Sequence, residues 1–184
     1  LDSGFEERTF YRDGYVSSFQ RIDSPENTND WSVLSTAFDS AGAIIAEYIS
    51  YDDGRYFQQN IRDGIVTSDS LRYPETGNPN ALARVSNIYD DGMLVRKFGT
   101  YEDGRSYQDE FTDGVRDTRY WSDRGVDGSG GVKPWDLIVI NYDLSTGKMA
   151  ERSTYYDNGI SKVETFVDGT RQTITQTDVD DVKS

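Results

Sequence analysis

The side chains of this sequence that could do chemistry are carboxylates and aromatic rings. Asp and Glu number 33 against 19 Lys and Arg, a net charge of −14. Carboxylate oxygens are the donors a hard cation such as calcium requires. The candidate metal residues are Asp117, Asp123 and Asp127, grouped about the Gly-rich segment GVDGSGG at 125–131. Their spacing is not that of an EF-hand loop, which closes on a Glu. Asp also stands before many turn glycines, where the same residue serves turn geometry. Two carboxylates about 5–9 Å apart could hydrolyse a glycosidic bond. Glu110 and Glu151 are such acids, as are Glu47 and Glu164, but among 33 acids some pairing is expected by chance. The rings of Trp31, Trp121, Trp135 and Tyr120 could stack on sugars as a polysaccharide-binding set. The alternative for them is cross-strand packing. Trp31 and Trp135 open equivalent segments, with Ala81 in that place in the middle one.

The absences are as informative. There is no histidine and no cysteine, which removes Ser–His and Cys–His nucleophiles, thiolate zinc sites and disulfides. The chain has no nucleophile elbow, phosphate loop or H-E-x-x-H motif. The expectation is a protein that is not an enzyme and has no cofactor, calcium being the one candidate ion. The acidic balance argues against nucleic acid, whose phosphates need Lys and Arg. No apolar run approaches 18 residues, so no membrane insertion is expected.

The glycines reveal the elements that would position these groups. Gly42, Gly54 and Gly64 are spaced 12 and 10 apart; Gly92, Gly104 and Gly114 repeat those intervals, as do Gly147, Gly159 and Gly169. Gly4 and Gly14 lie 10 apart. The chain reads as one repeat array over 1–184: a half unit (1–30) and three full units (31–80, 81–134 and 135–184). Opening inside a repeat, it is expected to be part of a longer protein. Asp or Asn precedes eight of these spaced glycines, from Asp13-Gly14 to Asp168-Gly169, the signature of hairpin turns. Between turns lie segments rich in Tyr, Phe, Ile, Val and Thr, which is strand composition.

The fold expected is all-β, a repetitive antiparallel meander of about fourteen strands in four-strand units, with almost no helix. An extended twisted sheet is the leading form; a propeller-like array and a barrel are alternatives. With two-residue turns, Tyr51 would pair with Tyr56 and Ile61 with Val66. The segment WDLIVINY, 135–142, is apolar on both sides and is the candidate for a strand covered on both faces.

The motifs W-x-L-I-V-I-N-Y-D, Y-Y-D-N-G and F-V-D-G at 135–169, with YDDGR at 51–55, resemble the YDxxG/YDDGR β-hairpin repeats of exported bacterial proteins of the RTX, hemolysin-type calcium-binding class. A weaker similarity, through YYDNGISKVETFVDG at 155–169, is to MORN-like YwqK antitoxin repeats, and RHS-type repeats share the Tyr-Asp-Gly chemistry. The RTX nonapeptide itself is not repeated here. What the resemblance implies is an extracellular, non-catalytic structural or adhesive module, a flanking or spacer region among neighbouring domains. Its partner would be a protein or polysaccharide surface. The alternatives are a polysaccharide-binding module using exposed Tyr and Trp, and an antitoxin-like inhibitor that binds one protein partner.

Overall fold

The computed structural model describes residues 5–24, 29–123 and 133–178. Fourteen strands occupy them: β1 (Phe5–Arg12), β2 (Tyr15–Asp23), β3 (Trp31–Phe38), β4 (Ile44–Tyr51), β5 (Tyr56–Arg62), β6 (Ile65–Arg72), β7 (Leu82–Asp90), β8 (Met93–Tyr101), β9 (Ser106–Thr112), β10 (Val115–Ser122), β11 (Trp135–Tyr142), β12 (Met149–Tyr156), β13 (Ser161–Val167) and β14 (Thr170–Thr177). Among the described residues there is no helix. The sheet is an antiparallel meander in chain order, β1 to β14, and the order does not close into a barrel. Pairing crosses the repeat boundaries, β2 to β3 and β10 to β11, so the repeats are not separate propeller blades.

The chain divides into two compact units, Leu1–Glu75 with Arg84–Gly92, and Thr76–Ala83 with Met93–Ser184. Within each, strands pack substantially only on their hydrogen-bonded neighbours. Ala46 is the one buried apolar residue among those described. Each unit therefore has no apolar core between layers. Stability comes from cross-strand side-chain pairs, each worth about 0.2–1 kcal/mol. β11 shows the consequence. Its segment is flanked by β10 and β12, yet all but one of its residues are half-buried and Asp136 is exposed. The expectation of a strand covered on both faces is corrected, because among the described residues of its unit no second layer covers it.

The strands of a repeat are conveniently lettered A (β3, β7, β11), B (β4, β8, β12), C (β1, β5, β9, β13) and D (β2, β6, β10, β14). All four C–D turns are Asp-Gly with positive φ at both residues: Asp13-Gly14, Asp63-Gly64, Asp113-Gly114 and Asp168-Gly169. That is the type I′ geometry the dipeptide favours. Each C–D hairpin also carries a bulge at the third residue after the glycine: Ser17, Thr67, Asp117 and Gln172. The hydroxyls of Ser17 and Thr67 donate to the carbonyls of Phe10 and Asn60, each at 3.3 Å.

The B–C turns differ. Gly54, Gly104 and Gly159 have positive φ, but Asp53, Asp103 and Asn158 do not. The Tyr51 amide bonds the Arg55 carbonyl at 2.9 Å, closing a three-residue turn. Tyr56 consequently lies opposite Ser50, not Tyr51, while Ile61 does pair with Val66. The A–B loops vary further, two residues at Asp91-Gly92 against four at 144–147. The shorter loop moves the register in the middle repeat. Backbone amides of Asp52, Glu102 and Asp157 bond the carbonyls of Asp30, Ala81 and Pro134. Leu82, one residue beyond Ala81, is therefore the counterpart of Trp31 and Trp135.

Candidate functional site

The YDDGR motif is a self-contained structural device. Arg55 donates its amide to Asp53 Oδ1 at 3.0 Å and Nε to Oδ2 at 2.6 Å, and its guanidinium sits 4.6 Å from the Tyr51 ring centre. Arg105 repeats this with Asp103, at 3.1 and 2.7 Å, and with the Tyr101 ring at 5.1 Å. The Arg55 amide, with its guanidinium, holds the Asp53 carboxyl below its usual range. In the third repeat Ile160 replaces the arginine, and only its amide bond to Asn158, 3.2 Å, remains. These acids before glycine thus have turn partners.

In the second compact unit one face of the sheet carries a charged row. Register places Lys97, Asp109, Arg119, Ile140, Arg152 and Glu164 side by side on successive strands. Asp109 is fully buried and Glu164 is 2% exposed. Arg119 grips Asp109 with two parallel bonds, 2.5 and 2.7 Å, and Arg116 adds a contact at 3.3 Å. Around Glu164 stand Arg152, Arg171 and Lys162, at 2.6, 3.0 and 3.1 Å. Burial alone would raise the Glu164 pKa. The bonds from Lys162 and Arg171 and the field of Arg152 outweigh it and hold the group below its ordinary value. The Asp109 carboxylate likewise raises the Arg119 pKa against the opposing effect of burial.

Beside that row lies an aromatic cluster. The Trp121 ring stacks on Tyr101, centroids 6.0 Å apart, and tilts against Tyr107 at 5.4 Å. Arg119 lies 5.1 Å from the Tyr107 centroid and 5.4 Å from that of Trp121. Gly99 makes room for this packing, since a Cβ there would overlap the Tyr107 ring.

The sequence-predicted residues scatter over this framework. Trp121 belongs to the aromatic cluster. Tyr120, next along the strand, points to the opposite face, where it lines a shallow depression of ≈ 320 Å³ with Phe98, Gln108 and Ser122. Trp31 and Trp135 open their strands across from Tyr51 and Tyr156. All four rings are half-buried. Asp117 is the bulge residue of β10, and Asp123 is fully buried just beyond its other end, accepting the Lys133 amide. Six residues of extended chain separate the two, about 20 Å, too far to share one ion. Asp127 lies outside the described residues. Among the described residues no group of three acids is placed to hold a metal. Glu110 and Glu151 share a register row but stand three strands apart, about 14 Å, beyond the separation glycoside hydrolysis uses.

Sequence reading missed Asp109, Arg119 and Arg152, and named Glu164 only as one strand acid among many. A signal existed: Asp109 and Arg119 lie five residues either side of Gly114. With a type I′ turn and one bulge that spacing puts them opposite each other. The chain matches no protein-family model and no curated protein.

Proposed function

We propose that this chain is a non-catalytic structural and adhesive β-repeat module of an exported bacterial protein, presenting sheet faces to a protein or polysaccharide surface. The observation that carries the reading is the state of its buried carboxylates. Two of the three buried carboxylates among the described residues, Asp109 and Glu164, are ion-paired with Arg and Lys, which suits them to brace the sheet; the third, Asp123, accepts the Lys133 amide through one oxygen. The exposed acids serve turns or face water. With side-chain ladders in place of a core, both faces of each compact unit offer area for contact.

Polysaccharide is the second reading. It is favoured by the depression that places the Tyr120 and Phe98 rings among the polar Ser106, Gln108 and Ser122. Such a mixture of ring faces and hydroxyl partners suits a sugar.

Fractionation of producing cells, followed by probing the purified chain against glycan and surface-protein arrays, tests both. The expected result is an exported chain that binds a surface component without turning it over. Retention in the cytosol with a single co-purifying protein would overturn it in favour of an antitoxin-like inhibitor. The reading gives calcium no structural part. Melting with calcium against chelator is expected to leave the midpoint unmoved, whereas a rise with calcium would restore a metal site.

A further inference from the structure

We propose that the outer edge of β14 is a docking site for one extended strand of the A type, supplied from outside residues 1–184. The inference rests on the repeat register and stands apart from the adhesive reading above. Among the described residues β14 has a single partner, β13. Its three counterparts each have a second partner, and the register of that second pairing never varies. From the fourth to the eighth residue after the turn glycine, Ser18–Ile22 pair with residues 37 to 33 of β3. Ser68–Arg72 pair with 88 to 84 of β7, and Thr118–Ser122 with 141 to 137 of β11. The same five positions in β14 are Thr173–Thr177.

The preparation of the strand is also the same. β14 follows a type I′ Asp-Gly turn and carries its bulge at Gln172, where β2, β6 and β10 carry theirs. Its first paired position is a hydroxyl residue, Thr173, like Ser18, Ser68 and Thr118. The backbone is therefore already shaped for an A strand, so little ordering is needed on binding.

The two terminal strands contrast in a way that identifies the open edge. Strand edges are normally protected by charge, Pro or Lys. β1 reads FEERTFYR, with four charged residues. β14 reads TRQTITQT, with Arg171 alone. Its register segment, TITQT, has high strand propensity and no charge, and every residue of it is exposed. Among the described residues every A strand is already flanked on both sides, so the proposed occupant is a further strand of that type.

The test uses the intact chain and a peptide of sequence WDLIVINY with Gly-Ser tails, the A strand of the third repeat. Hydrogen exchange with and without peptide is expected to show saturable binding and new protection at alternate amides of Thr173–Thr177. A scrambled peptide should give neither. Adjacent residues of a strand direct their amides to opposite sides. Of Ile174→Pro and Thr175→Pro, one thus removes an amide facing β13 and the other an amide facing the edge. The edge-facing variant should keep the circular dichroism of the parent and bind about tenfold or more weakly. If both variants unfold, the protection pattern of the parent chain decides alone. Absence of saturable binding to the folded chain would overturn the proposal. So would protection confined to β1, or protection of β14 by self-association without peptide, which would make a second copy the occupant.

Discussion

At one position of the repeat, five residues before the C–D turn glycine, the two compact units place different chemistry. The first has Gln59, whose amide donates to Glu47, with Asp69 on the other side. The second has Asp109 and Glu164, each buried among cations. Backbone pairing is the same in both. A neutral amide can rest half-buried on a sheet with no second layer, but a carboxylate there is tolerable only when paired. The arginines that pair it also lay their apolar stems across the sheet. In the second unit, long cationic side chains thus take on the covering work that a packed core performs elsewhere. In the first, a row of Leu34, Ile49, Phe57 and Leu71 two residues away supplies the apolar contact.

The largest expected effect falls on the buried pair. Asp109→Asn keeps the shape but leaves Arg119 and Arg116 facing each other without a counterion. Breaking a buried pair at one partner typically destabilises by about 3–5 kcal/mol. Because Arg119 and Arg116 are 22% and 37% exposed, about 3 kcal/mol is expected by urea denaturation. Gln59→Ala, at the same place in the first unit, should lose under about 1 kcal/mol. Equal losses would erase the distinction between the units.

Glu164 sharpens the comparison through pH. Its cations are 23–53% exposed, so Glu164→Gln should destabilise by only about 1–2 kcal/mol near neutrality. The folded-state pKa lies below the ordinary 4.5. The carboxylate therefore contributes stability that is fully present above 4.5 and is lost as pH falls through the lowered value. Denaturation midpoints of the parent and the variant should converge on acidification below that range. A constant gap would show that the cations do not act on the charge.

How much of this was legible depends on which signal each feature uses. The strands and the single meander follow from glycine spacing, because a reversal every ten or twelve residues leaves an antiparallel chain few other paths. The turn types were half legible. Asp-Gly marks both kinds, and only the structure shows that Asp63 adopts positive φ while Asp53 does not. That one difference moves Tyr56 from Tyr51 to Ser50. Leu82 was hidden by the two-residue loop at 91–92, since counting back from Gly92 as from Gly42 lands on Ala81. Of the candidate site, Trp121 and Tyr120 were chosen for their type as a set, although adjacent strand residues must face opposite ways. The Asp109–Arg119 pair went unread because its equal spacing about Gly114 becomes a register only once the bulge at Asp117 is counted in.

A smaller effect than that at either buried carboxylate is expected in the first unit, at Tyr89. Its hydroxyl donates to Asp69 at 2.6 Å, and Asn87 donates to the other oxygen of the same carboxyl face at 2.8 Å. Burial first, and then the hydrogen bond to Asp69, push the phenol up to about 12 from 10.0. The protonated form is the one favoured by folding. Its contribution is fully present below pH 10 and is lost as pH rises through about 12. Tyr89→Phe removes one neutral donor and leaves Asp69 with Asn87, so about 1 kcal/mol is expected. The variant should also lack the alkaline loss of stability that the parent shows, measured as the fluorescence midpoint in urea from pH 9 to 12. A loss as large as that of Asp109→Asn would mean that the row of the first unit, where Glu47 and Asp69 accept hydrogen bonds from neutral groups, is as tightly coupled as the ionic row of the second, and that cationic partners are not what set the two apart.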